Sequence, residues 1–203
     1  MVLTVCLERA SSFHESETSR RYLFVAVDRT TRWVFVRIMP AKTAANACRF
    51  LRDLHRARPI RIAKILTDNG KEFTDRLFAS RARAASGDHE FDRLCTEPGI
   101  EHRLTPPKLP QTNGMVERFN GRISDVPKIN RFDSALDLEQ TLMRSVHLSN
   151  TQLPQSALGS RTPMTAMKDW HKSHPHLFVK SPRNHAGRDR NEPALELPTC
   201  DRL

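Results

Sequence analysis

Arg61–Gly70 reads RIAKILTDNG, a short apolar run that passes directly into an aspartate and then an Asn-Gly pair. Arg61 to Leu66 has the composition of a strand. Asn-Gly turns the chain sharply, so Asp68 is expected at the mouth of that strand. Strand ends next to helices are where open α/β sheets build their sites. Taken alone, Asp-Asn-Gly is better read as a turn in which Asp68 accepts a hydrogen bond from its own backbone.

Upstream, Met1 to Leu7 (MVLTVCL) predicts a first strand, and Ala10 to Arg21 is polar and reads as a loop. Tyr22 to Val27 (YLFVAV) and Trp33 to Met39 (WVFVRIM) flank the turn-like Asp28 to Arg32, a hairpin signature. From Ala41 to Arg58 the period changes. Ala44, Ala47, Cys48, Leu51 and Leu54 recur at three and four residues, giving one apolar helical face that Pro59 stops. Downstream, Arg76 to Asp92 reads as a surface insertion. Glu90 to Glu97 predicts a short helix with Phe91, Leu94 and Cys95 inward, and Ile100 to Leu104 a last strand. Thr105 to Thr112 (TPPKLPQT) is a loop. A helix from about Asn113 carries Val116, Phe119 and Ile123 on its buried face and ends at Pro127, which lacks the amide to continue it. Ser134 to Ser149 aligns Leu138, Leu142 and Val146. Thr162-Pro163 starts a helix to Trp170, with a capping residue followed by proline at the first helical position. This order predicts an α/β fold, a mixed sheet flanked by helices. Its first strands are antiparallel through short turns, and its later strand–helix–strand units are parallel.

The 203 residues carry a net charge of +10, with a pI near 10.1. Such an excess of Lys and Arg favours a polyanionic partner, since these side chains replace counterions condensed on phosphates. Cys6, Cys48, Cys95 and Cys200 lie far apart without a CxxC pair, so neither a zinc ribbon nor a disulfide framework is implied. His171, His174 and His176 cluster, but no second group supplies zinc ligands at recognised spacing. No apolar stretch approaches a membrane span or a signal peptide, so the protein is expected to be soluble and intracellular.

Glu117 lies in the first turn of the helix near Asn113. There Asn113, Glu117, Asn120 and Ser124 make a polar stripe beside the apolar one. An acid near a helix N-terminus has an ordinary explanation in the helix dipole. Paired with a strand-end aspartate it suggests more. Metal-assisted phosphoryl transfer clusters carboxylates around divalent ions, and Mg2+ accepts a few oxygen ligands while keeping several waters.

KILTDNGKEF (Lys64 to Phe73) and LTPPKLPQTNGMVERFNGRI (Leu104 to Ile123) resemble the second and third blocks of the DDE transposase and retroviral integrase superfamily. YLFVAVDRTTRWVFVRIMPAKTA (Tyr22 to Ala44) resembles the preceding hairpin. NTQLPQSALGSRTPMTAM (Asn150 to Met167) is similar to the closing block of bacterial insertion-sequence transposases. The resemblance implies a ribonuclease-H-like fold. With it the chain divides into a remnant first strand and loop (1–20), an integrase-like catalytic core (21–170) and a C-terminal tail (171–203) that its His-, Pro-, Arg- and Asn-rich composition marks as partly disordered. It further implies a DNA integration activity using Mg2+ or Mn2+, with Asp68 as the second catalytic and metal-binding acid and Glu117 as the third, 49 positions on. Lys108, Gln111, Asn113, Arg118 and Asn120 would contact DNA. A homo-oligomer in the bacterial cytoplasm, associated with the nucleoid, is implied as well.

One departure matters. The superfamily's first aspartate belongs on the strand before YLFVAV, near Leu7, and Met1 to Leu7 holds no carboxylate. Glu8 is one residue out of phase, which reverses side-chain direction along a strand. Asp28 ends the next strand and reads better as a turn former. Pro127, which interrupts a helix expected to run further, and the lack of a preceding helix-turn-helix module fit a decayed or rearranged copy. The expectation is therefore a transposase core with impaired or absent catalysis. The rival is a non-catalytic DNA-binding or oligomerising remnant. An RNA–DNA hybrid nuclease on the same fold fits the four blocks poorly.

Overall fold

The computed structural model describes residues 1–10, 21–75, 86–105 and 135–182, with the backbone alone at 6–10 and 135. Its strands are β1 (Val2–Ala10), β2 (Arg21–Asp28), β3 (Val34–Met39), β4 (Lys64–Thr67) and β5 (Glu101–Leu104). Its helices are α1 (Ala44–Ala57), α2 (Glu90–Thr96), α3 (Ala135–Thr151) and α4 (Pro163–Ser173). The strands form one sheet in the order β3-β2-β1-β4-β5. β1 is antiparallel to β2 and β2 to β3, while β4 runs parallel to both β1 and β5. This is the mixed sheet that the sequence predicts.

The central strands are buried because both sheet faces are covered. On one face Leu3, Val5, Phe24, Ala26, Phe35 and Ile65 meet Phe50, Leu51 and Leu54 of α1. On the other, Leu23, Val25, Val27, Val34 and Val36 pack with Leu138, Leu142 and Val146 of α3. β2 thus alternates its side chains between two cores, which is why YLFVAV is apolar throughout. Thr43 caps α1 by accepting from the Asn46 amide at 3.3 Å. Phe50 joins the face read from the sequence, its ring 5.5 Å from Phe24 and 5.6 Å from Phe35, whereas Ala44 is only half-buried. Asn150 of α3 donates to the Val34 carbonyl at 2.8 Å and accepts from the Val34 amide at 2.9 Å. It satisfies one step of the outer ladder on edge strand β3, as a neighbouring strand would.

Three of the boundaries that differ from the sequence reading have a tertiary reason. β1 continues past Leu7 because Glu8, Arg9 and Ala10 pair with Leu23, Tyr22 and Arg21. A partner strand here overrides weak local propensity. β4 begins at Lys64 instead of Arg61, because the Ala63 and Lys64 amides both reach the Met1 carbonyl where the ladder starts. α4 extends beyond Trp170 to Ser173 and hands over to a 3-10 turn at Pro175–Leu177, after which Phe178 bridges Ile60. The histidines of this segment pack with rings: His174 stacks on Trp170 at 4.7 Å, and His171 meets Phe178 edge-on at 4.9 Å.

Cys48 and Cys95 are free and buried. Burial, and behind it the Asp92 charge, pushes the Cys95 thiol up to about 12, so it stays protonated and unreactive. No helix among the described residues is long and apolar enough to cross a membrane.

Leu138→Ala is expected to destabilise the fold by about 2–5 kcal/mol through the cavity it leaves under the sheet. Asn150→Ala should cost about 1–3 kcal/mol by stranding the Val34 amide and carbonyl. Leu148→Ser, on the exposed side of α3, should stay within about 0.5 kcal/mol. Urea unfolding of the three variants at one pH checks the ranking.

Candidate active site at the end of strand β4

Asp68 follows the last residue of β4 and is half-buried. One carboxylate oxygen accepts the Gly70 amide at 3.0 Å, forming the turn that Asp-Asn-Gly predicts. The other makes no hydrogen bond with any described residue. The turn reading and the ligand reading are therefore compatible: the turn uses one oxygen and leaves the second for solvent or a cation.

The backbone on either side is tied down. The Thr67 carbonyl accepts both the amide of Thr105, at 2.8 Å, and its hydroxyl. Asn69 donates to the Thr105 carbonyl at 2.8 Å. The hydroxyl of fully buried Thr67 lies 2.8 Å from Nε2 of His102 on β5, whose Nδ1 bonds the Asp92 carboxylate on α2. The His102 ring meets Phe91 nearly edge-on at 5.0 Å.

Glu72, two residues past the turn, is only 1% exposed and pairs with Nζ of Lys42 at 3.1 Å. Apart from that ion pair, neither of its oxygens has a hydrogen-bond partner among the described residues. Its carboxylate lies over Gly70 so closely that a Cβ there would come within 2.4 Å of Oε1. A side chain at position 70 would therefore have to push the Glu72 carboxylate aside. A buried acid opposite a lysine holds well only while both partners remain, since removing either leaves an uncompensated charge.

The register locates the other acids considered. Val5 pairs with Thr67, so β1 runs past Asp68 at residues 6 and 7, which are Cys6 and Leu7. Leu7 stands opposite Phe24 and Glu8 opposite Leu23. Asp28 pairs with Leu3, which itself pairs with Ile65, three residues before Asp68. With a rise of about 3.3 Å per residue and strands about 4.8 Å apart, Asp28 is roughly 14 Å from Asp68 along the sheet. It is fully buried and accepts from the Thr31 amide at 2.9 Å and hydroxyl at 2.7 Å, as a turn former does. Glu117, Lys108, Gln111, Asn113, Arg118 and Asn120 lie outside the described residues. Among the described residues no group of three or more His, Cys, Asp or Glu side chains is arranged to hold a metal.

Glu72, Lys42, Asp92, Thr67 and His102 are absent from the sequence-derived site. Glu72 carries a faint local signal, an acid two residues after the turn glycine. The others do not, because Lys42 precedes Glu72 by a strand and a helix, and Thr67 and His102 are 35 residues apart.

An integrase core domain family model matches residues 9–110, and a second integrase core domain model matches residues 98–163. An uncharacterised protein of Caenorhabditis elegans is 27% identical over 143 residues, covering 70% of this chain and 10% of its own length. A retrovirus-related Pol polyprotein from a transposon of Nicotiana tabacum is 29% identical over 113 residues, covering 54% of this chain and 7% of its own. The chain thus spans no more than a tenth of either relative. The crystal structure of the catalytic core domain of BIV integrase superposes with a TM-score of 0.58 at 19% identity, covering 84% of this chain and 97% of that one. The sheet order, the flanking helices and that superposition make the fold ribonuclease-H-like. With half of its length matched by the first of these family models, this chain belongs to the integrase core domain family.

Proposed function

We propose that the chain is the core of an insertion-sequence transposase for DNA integration, whose catalysis is impaired because β1 brings no carboxylate to Asp68. The observation that carries this reading is the parallel register. Val5 pairs with Thr67, so Cys6 and Leu7 occupy the level of the sheet where a second strand-borne acid would stand. Asp68, with Glu117, would hold a divalent cation. Carboxylate oxygens suit Mg2+ or Mn2+, and one oxygen of Asp68 is left over by the turn. When bound, such an ion polarises a phosphodiester and activates water or a 3′-hydroxyl. The chain's own contribution is placement. The turn fixes one side of Asp68, and β5 fixes the backbone before it.

The net charge of +10 supports DNA as the partner. Lys108, Gln111, Asn113, Arg118 and Asn120 are the proposed contacts, carried over from the resemblance. Association into homo-oligomers on DNA in the bacterial cytoplasm belongs to the same proposal. The missing carboxylate also favours a second reading, in which the chain binds DNA without cutting it and competes with an intact relative.

Incubated with supercoiled plasmid and Mn2+, the chain is expected to produce no metal-dependent nicks. Leu7→Asp should restore nicking, and adding Asp68→Ala or Glu117→Gln should abolish it again. Strong nicking by the unaltered chain that Asp68→Ala removes would overturn the claim of impairment. If Leu7→Asp folds and still fails to nick, the second reading gains and the assignment of the vacant position falls.

DNA binding should weaken at least about tenfold between roughly 50 and 200 mM salt, as phosphate contacts demand. Asp68→Asn should leave binding intact in a gel shift. Affinity insensitive to salt would argue against a phosphate-contacting surface.

A further inference from the structure

The Asp92–His102–Thr67 chain lies beside the proposed metal-holding acid and has no part in the reading above. It links three elements, α2, β5 and β4, in a nearly dry setting. Thr67 is fully buried, and the side chains of His102 and Asp92 are 5% and 17% exposed. Burying polar groups costs free energy that apolar side chains of similar shape would avoid. What such a chain adds is direction, because each bond fixes a rotamer that packing alone leaves free.

The order of the bonds is informative. With Asp92 on Nδ1, a neutral ring carries its proton there and presents Nε2 as an acceptor, so the Thr67 hydroxyl donates to it. The Thr67 backbone is fixed independently, through the Thr105 amide and hydroxyl. Asp68 therefore stands between two held neighbours. Thr67 is gripped on the β5 side, and Gly70 is gripped by the Asp68 carboxylate itself and covered by Glu72. The freedom left to Asp68 is close to its own side-chain torsions.

We infer that His102, oriented by Asp92, is a positioning residue that fixes the strand end carrying Asp68 through the Thr67 hydroxyl. The inference rests on Asp68 being the metal-holding acid, and it resembles the carboxylate–histidine pairs that orient ligands around metal ions. Here the pair acts one residue away from the ligand.

The test compares the full chain with His102→Leu, His102→Gln and Thr67→Val. Leu fills the ring's space without hydrogen bonds. Gln can bond Thr67 and Asp92, and Val keeps the shape of Thr67 without its hydroxyl. Two readouts are taken: hydrogen exchange of the Gly70 amide relative to amides of β2, and Mn2+ affinity from paramagnetic broadening of the Asp68 resonances. His102→Leu and Thr67→Val are expected to speed Gly70 exchange selectively and to weaken Mn2+ binding about tenfold or more, with His102→Gln close to the unaltered chain. If His102→Leu matches the unaltered chain in both readouts, or if Gly70 moves only in step with β2, the role is packing and the inference is overturned. If the unaltered chain gathers no Mn2+ at Asp68, the metal reading fails separately, and selective Gly70 exchange alone decides the positioning. Should Thr67→Val not fold, the Leu and Gln variants still carry the test.

Discussion

The parallel pairing of β1 with β4 is the constraint on which the rest depends. β1 is the middle strand, hydrogen-bonded to β2 on one edge and β4 on the other. Both of its neighbours inherit their register from it. A slip of one residue would turn Leu3 and Val5 away from α1 and present Thr4 in their place, so the apolar alternation permits a single register. That register sets which residue of β1 passes beside Asp68 and places Asp28 in the wrong part of the sheet for any shared ion.

Around Asp68 the fold uses rigid elements instead of a long loop. Thr67 and Asn69 have partners from the β5 side of the chain, His102 and Thr105, and Gly70 is held by the aspartate itself. Lys42, just before α1, pairs with Glu72 against the turn, so the hairpin side of the sheet reaches the same place. A carboxylate held on strand ends and short turns keeps its direction better than one on a free loop.

A ribonuclease-H-like sheet hosts several chemistries, so function has to be argued from the site. Glu72 and Asp28 show why a count of acids is a poor guide. Both are buried, and both have structural partners, Lys42 for one and Thr31 for the other. Asp28 also ends a strand and keeps one oxygen unpaired, but it and Glu72 are sealed from solvent, and among the three Asp68 alone is partly exposed.

The sequence by itself determined the sheet's composition, the hairpin of β2 and β3, the apolar faces of α1 and α3, the Thr162-Pro163 start of α4, and Asp68 at the end of a strand. Each of these is written in local periodicity or turn chemistry, which a chain carries whatever it packs against. Only the tertiary structure decided that β1 runs on to Ala10, that Cys6 and Leu7 pass beside Asp68, and that Thr67, His102 and Asp92 form one chain. Those facts depend on which strands become neighbours and in what register, and hydrogen bonds between residues 35 positions apart leave no local trace.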